Sequence, residues 1–241
     1  MKSATTEDTV VAPLSPLQAI VFDFDGVIAD SEPLHFRSFR DVLASDGIEL
    51  TEDDYYRRYL GLSDAAAFVA IGSERAARWD RTQIGALMAR KAARFEELER
   101  ARSVIFPGAA QFISEAADLV PVAIASGARR PEILRILDRA DLTRWFTAIV
   151  AAEDVAASKP APDPYLRAIE RLSASAARPI AARRAVAIED SARGLESARA
   201  AGLKTVAVAP PHGRGPTGDA DLFVSGLAAL RVTDLQQLAA E

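Results

Sequence analysis

The sequence predicts an α/β protein: a Rossmann-like, doubly wound parallel sheet covered by helices on both faces, with an α-helical segment inserted after the first strand. Three observations carry this. Short apolar runs alternate with helix-periodic segments from about residue 108 to the end. A different texture, rich in Ala, Arg and Glu, fills the stretch between the first apolar run and that alternation. Helix punctuation agrees, with Ser191 at a cap position and Gly202 just past an end.

Taken in order, residues 1–17 read as a flexible tail. They are polar, include Pro13 and Pro16, and lack the basic and apolar regions of a secretory leader. Gln18 to Phe24 contains Ile20, Val21 and Phe22 and stops at Asp25-Gly26, the pattern of a buried strand. The helical insert follows, with periodicity in Leu34, Phe36, Phe39, Val42 and Leu43 and again in Ile84, Leu87, Met88 and Phe95. Pro107-Gly108 closes it. Further strands are expected at Val120 to Ala125, Ala148 to Ala151, Ala185 to Ile188, Thr205 to Val208 and Leu222 to Val224. Helices are expected at Gly108 to Ala117, Pro131 to Ala140, Pro162 to Leu172, Ala192 to Ala201 and Leu227 to Leu238. The division is thus a core of 18–32 and 104–241 and an insert of 33–103. Parallel sheets of this kind bind ligands beyond the carboxyl ends of their strands.

Composition removes several function classes. The 241 residues are 49% hydrophobic and 26% charged, ordinary for a soluble globular chain. No apolar run is long enough to span a bilayer. With a net charge of −5 and no basic–aromatic stripe, nucleic acid is not an expected partner. There is no cysteine, so disulfide and thiolate chemistry are excluded; the compartment is open, with cytoplasm the default. The arginines from Arg75 to Arg102 alternate with Ala and Glu at helical spacing and read as a solvated face. The G-x-G-x-x-G spacing from Gly213 to Gly218 is broken by Pro216 and followed by no helix, so it reads as a loop.

Four polar features fall at strand ends. Asp23-Phe24-Asp25-Gly26 closes the first strand. At a period of two residues both carboxylates start on one face, and the glycine lets the chain turn away. Such a pair needs a cation or a shared proton, or it is an Asp-Gly turn with incidental charge. Ser126-Gly127 precedes a helix and offers either an anion site or a Ser cap. Lys159 sits in Ser-Lys-Pro-Ala-Pro-Asp, where prolines fix the direction of the ammonium. Glu189-Asp190 ends another strand. With Asp23 and Asp25 it supplies oxygen donors that suit Mg²⁺ better than Zn²⁺.

In this order the motifs resemble the haloacid dehalogenase superfamily of hydrolases, from about Gln18 to Glu241. Asp23 to Ile28 resembles its first motif, Ser126 its second, Lys159 its third and Glu189-Asp190 its fourth. Asp30-Ser31-Glu32-Pro33-Leu34-His35 is similar to the β-phosphoglucomutase-like subfamily, whose helical cap follows the first motif.

The resemblance implies that Asp23 attacks phosphorus and that Asp25 acts as acid and then base. It implies Mg²⁺ on Asp23, the Asp25 carbonyl and Asp190, with Glu189 direct or through water. Ser126, Gly127 and Lys159 would hold the phosphoryl group, and the partner would be a small phosphorylated metabolite, a sugar phosphate or phosphoglycolate. Cap candidates for the leaving group are His35, Arg37, Arg57, Arg58, Gly61 and Asp64, with Arg129 beside the second motif; packing on the first cap helix is an equal reading of His35.

The mutases carry Lys-Gly-x-x-Arg for a second phosphate, whereas this chain has Leu60-Gly61-Leu62-Ser63-Asp64. A phosphatase is therefore expected over a mutase. The Asp25 and Glu189-Asp190 carboxylates speak against metal-free dehalogenation, and the filled motif positions against a non-catalytic binding module. A monomer is the default.

Overall fold

A computed structural model describes residues 17–60, 62–100, 103–209 and 218–241. Residues 1–16, Gly61, 101–102 at the end of the Arg75–Arg102 stretch, and 210–217 with most of the Gly213–Gly218 spacing lie outside the described residues. Strand β1 (Ala19–Phe22) has β2 (Val122–Ala125) and then β3 (Ala148–Val150) on one side. On the other lie β4 (Ala185–Glu189), β5 (Lys204–Val208) and β6 (Leu222–Val224). Every pairing is parallel, so all six strands end at one edge. The chain changes direction across the sheet between β1 and β4. The register of Phe22 with both Ile124 and Ile188 brings together the loops after β1, β2 and β4.

Alternation along the strands makes two apolar layers. Ile20, Phe22, Ile124, Val186 and Ile188 pack with α5 (Ala109–Ala117), α6 (Arg130–Arg139) and α9 (Val232–Leu238). Ala19, Val21, Ala123, Ala125 and Ala187 meet Tyr165, Ala168 and Leu172 of α7 (Asp163–Ser175) and Ala198 of α8 (Ala192–Ala200). Because both faces are covered, the central strands β1 and β2 are apolar throughout. Phe22, fully buried, meets Phe112 and Phe146 edge-on at 6.1 Å; burying such a side chain contributes about 2–3 kcal/mol.

The insert contains α1 (Glu32–Ala44), α2 (Glu52–Asp54) running into a π-helical turn at Tyr55–Tyr59, α3 (Asp64–Glu74) and α4 (Arg81–Arg100). It has its own apolar cluster of Phe36, Phe39, Leu43, Tyr59, Phe68, Ile71 and Leu87. Two backbone hydrogen bonds stitch its ends together: Asp30 N–H to the Val104 carbonyl at 2.7 Å and Phe106 N–H to the Ile28 carbonyl at 3.0 Å. Both chain crossings thus lie beside the end of β1. Among the described residues no helix is long and apolar enough to cross a membrane.

Three sequence expectations are corrected. The helix expected over Leu227 to Leu238 is a 3₁₀ turn, Leu227–Ala229, and then α9, because Leu230 and Arg231 are extended. The Arg-rich face of α4 is not wholly solvated, since Lys91 and Glu99 are buried. Leu17, the last residue of the expected tail, is buried against the core.

Candidate active site

Asp23 directly follows β1, and its N–H donates to the Ile188 carbonyl of β4 at 2.9 Å. Its carboxylate is therefore fixed at the centre of the strand-end edge, 8% exposed. Lys159 Nζ donates to Asp23 Oδ1 at 2.6 Å and to Glu189 Oε1 at 2.5 Å. The lysine loop is itself tied down, with Arg193 donating to the Lys159 carbonyl and Ser197 Oγ to the Ala161 carbonyl, both at 2.6 Å.

Glu189 closes β4 and is fully buried. Tyr165 Oη donates to its Oε1 at 2.8 Å, while Oε2 accepts from the Asp190 N–H, the Ser191 N–H and Ser191 Oγ at 3.0–3.3 Å. Ser191 also caps α8 by accepting from the Gly194 N–H. The next residue, Asp190, completes a group in which one carboxylate oxygen each from Asp23, Glu189 and Asp190 lies within 4.8 Å of the others.

Three carboxylates against one ammonium leave surplus negative charge in a dry place. Burial, then Glu189, pushes Asp23 up to about 7. Burial, then Asp23 and Glu189, raises Asp190 well above the usual carboxylate range. Burial opposes the Lys159 ammonium, but Asp23 and Glu189 outweigh it and raise its pKa. The surroundings also leave room only for backbone: Gly26 has φ +83°, and a Cβ there would lie 2.0 Å from Asp190 Oδ2. An all-oxygen, over-negative cluster beside a glycine cradle fits a hard divalent cation.

Asp25 departs from the sequence reading. Strand β1 ends at Phe22, and the Asp25 carboxylate belongs to a second group with His35 and Glu132, its ligating atoms within 4.8 Å of theirs. Ser31 Oγ donates to Asp25 Oδ1. Burial, then the Glu132 charge, pushes Asp25 up to about 6. Asp25 thus stands with His35 and Glu132, and Asp23 with Glu189 and Asp190, while the Asp25 charge still adds to the negative field at Asp23.

Ser126, 2% exposed, follows β2; its N–H donates to the Val150 carbonyl and its Oγ accepts from the Ala128 N–H, both at 2.9 Å. It shapes the loop and does not cap α6, whose cap position is Arg129. Gly127 and Arg129 are exposed in that loop.

The cap candidates separate. His35 Nδ1 is 2.6 Å from Lys91 Nζ, and His35 Nε2 is 3.1 Å from Glu132 Oε1. Asp64 Oδ1 accepts from Lys91 at 2.9 Å. Arg57 and Arg58 are not brought to this row: Arg57 pairs with Asp53, and Arg58 with Glu74 and Asp54, all within the cap. Arg37 is exposed on α1. Lys91 and Glu132 escaped the sequence reading. Lys91 had one signal, being the lone lysine of an Arg-rich insert. Glu132, in the first turn of α6, had none beyond helix-start acidity.

Residues 20–208 match the haloacid dehalogenase-like hydrolase family. The chain belongs to that family, within its β-phosphoglucomutase-like branch, and is a phosphoric monoester hydrolase. Among curated relatives, a phosphorylated carbohydrates phosphatase of Thermotoga maritima is 30% identical over 79% of this chain and 84% of its own. Hexitol phosphatase B of Escherichia coli is 30% identical over 90% of this chain and 96% of its own. A crystal structure of CbbY from Rhodobacter sphaeroides in complex with xylulose-(1,5)bisphosphate aligns with a TM-score of 0.77 at 26% identity, covering 88% of this chain and 95% of that one.

Proposed function

We propose that this protein is a Mg²⁺-dependent phosphatase that hydrolyses a small phosphorylated metabolite, of sugar-phosphate type, through an aspartyl-phosphate on Asp23. The observation that carries it is the Lys159 ammonium bridging Asp23 and Glu189, with Asp190 alongside, at the strand-end edge. Phosphoryl transfer needs positioning and charge neutralisation more than covalent assistance. The names of the curated relatives support a sugar-phosphate substrate.

In the first step an Asp23 carboxylate oxygen forms a bond to phosphorus and the bond to the leaving oxygen breaks. Asp25, raised to about 6 and partnered by Ser31, delivers its proton to that leaving oxygen. In the second step Asp25 takes a proton from water, the water oxygen bonds to phosphorus and the Asp23–phosphorus bond breaks, releasing phosphate. Lys159 holds Asp23 and, with Ser126 and the backbone of Gly127, balances charge on the phosphoryl oxygens. Asp23, Asp190 and the Asp25 carbonyl would hold Mg²⁺, with Glu189 behind them; bound there, the ion neutralises phosphoryl charge. The cap excludes water that would compete.

The intermediate is tested by acid-quenching the enzyme during turnover of a ³²P-labelled substrate and mapping the label. Label on the peptide containing Asp23, absent from Asp23→Asn, is expected; turnover with no protein-bound label contradicts this route.

A further inference from the structure

Helix α6 of the core presents one stripe of charge to the cap. Glu132, Arg135 and Arg139 follow at spacings of three and four residues, which places them on one helix face. Opposite them stand His35 and Glu99 of the cap. His35 Nε2 lies 3.1 Å from Glu132 Oε1, while Glu99 accepts from Arg135 Nε and has Arg139 3.7 Å away. Charge is matched along the stripe, acid to imidazole and arginines to acid. Among the described residues these are the ion pairs that join cap to core. The Glu99 pairs lie next to the return linker, where Glu99, Ser103 and Val104 line one small cavity. The Glu132 pair lies beside Asp25, whose carboxylate groups with His35 and Glu132 within 4.8 Å.

Each half of the Glu132 pair is held by its own unit. In the cap, the His35 ring lies 4.4 Å from the Phe95 ring, centroid to centroid, and Lys91 Nζ is 2.6 Å from His35 Nδ1 and 2.9 Å from Asp64 Oδ1. An ammonium has no lone pair, so Nδ1 accepts from Lys91 and the imidazole proton stands on Nε2, facing Glu132. In the core, the start of α6 is tied down by Arg130, whose N–H donates to Glu153 Oε1 at 3.1 Å and whose guanidinium donates to the Ile149 carbonyl at 2.8 Å. Burial opposes the Glu132 charge, but His35, Lys91 and Arg135 outweigh it and hold its pKa below the ordinary value. Cap and core have separate apolar clusters and are joined by two linkers. A cap that swings away on those linkers must therefore carry His35 off Glu132.

We propose that Glu132 is a positioning residue whose contact with His35 is the latch by which helix α6 holds the cap closed over Asp25. Glu132 touches neither substrate nor metal in this role; it acts through His35. The effect on turnover rests on the phosphatase reading, because the cap must be closed for the chemistry to exclude competing water. The latch itself does not rest on it.

The chain has no cysteine, so two introduced ones can be labelled alone. Val69→Cys on cap helix α3 and Leu119→Cys in the core replace exposed side chains. The spin–spin distance between labels at these positions is measured with Mg²⁺ and inorganic phosphate, in the Glu132 background and in Glu132→Ala, His35→Ala and the double variant. One short distance is expected with Glu132 and His35 both present, and a longer population in each alanine variant. Release from p-nitrophenyl phosphate is expected to fall about tenfold in kcat/KM in each single variant, with the double variant no worse than the poorer single one, because both remove one contact. Glu132→Gln, whose carbonyl still accepts from Nε2, is expected to restore the short distance and most of the rate. Circular dichroism and the melting temperature identify a variant that has simply unfolded. The same distance distribution with and without Glu132, or losses that add in the double variant, overturn the latch. Phosphate release with unmoved distances removes only this inference; moved distances with no release from any phosphorylated compound keep the latch and remove the phosphatase reading.

Discussion

Gly194, in the first turn of α8, faces the Glu189 carboxylate so closely that a Cβ built there would lie 1.8 Å from Oε1. That oxygen accepts from Lys159 and Tyr165, so a methyl group at 194 must push Glu189 off both. Gly194→Ala is expected to destabilise the fold by about 2 kcal/mol. Misplacing Lys159 is expected to lower kcat by about a hundredfold. Denaturant unfolding and phosphate release check the two effects; a variant with wild-type rate and stability would show that Glu189 can relax freely.

The acidic cluster makes stability depend on pH in a stated direction. A carboxyl with a raised folded pKa binds its proton more tightly in the folded state, so stability falls as pH rises. For Asp23 the cost begins above the ordinary value of 3.8 and is complete above about 7. Asp190, also raised, adds to it. In EDTA the melting temperature is expected to fall across this window, and Asp190→Asn to flatten the fall. Mg²⁺ is expected to raise the wild-type melting temperature above pH 7, by ligand linkage, and to leave the variant unmoved. Thermal melts at several pH values, with Mg²⁺ and with EDTA, decide it; no Mg²⁺ effect on the wild type contradicts the assigned ligands.

Helix α6 clasps the cap through buried charge. Glu99 of α4, 2% exposed, accepts from Arg135 Nε, and Arg139 reaches the Glu99 carbonyl at 2.8 Å. Arg135→Ala strips the buried carboxylate of its closest partner and is expected to cost about 3 kcal/mol. The exposed Arg144–Asp141 pair supplies the contrast: Arg144→Ala is expected to cost about 0.5 kcal/mol or less. Equal losses in urea melts would mean that the clasp is energetically a surface pair.

The sheet was legible because its strands are short apolar runs buried on both faces and closed by Gly, Pro or acidic residues. Asp23, Ser126 and Glu189 could be placed at strand ends from those local stops alone, whereas Lys159 lies in the loop between β3 and α7. What local pattern does not encode is the partner across space. Helical spacing marked Arg75 to Arg102 as one face, yet Lys91 and Glu99 turn inward because His35, Asp64 and Arg135, distant in sequence, are there to meet them. Arg57 and Arg58 had the charge to bind an anion but meet cap carboxylates first. Asp23 and Asp25 looked like one pair by strand period, yet each groups with partners distant in sequence, Asp23 with Glu189 and Asp190 and Asp25 with His35 and Glu132. The expected helix at Leu227 broke at Leu230 and Arg231 although its periodicity ran on, since neither residue is a recognisable breaker.

The most direct test of the central claim is phosphate release from a panel of phosphorylated metabolites by the wild type and Asp23→Asn, each with Mg²⁺ and with EDTA. The account predicts release by the wild type in Mg²⁺ alone, with none from Asp23→Asn although its circular dichroism matches the wild type. Undiminished release by a folded Asp23→Asn, or by the wild type in EDTA, would contradict it.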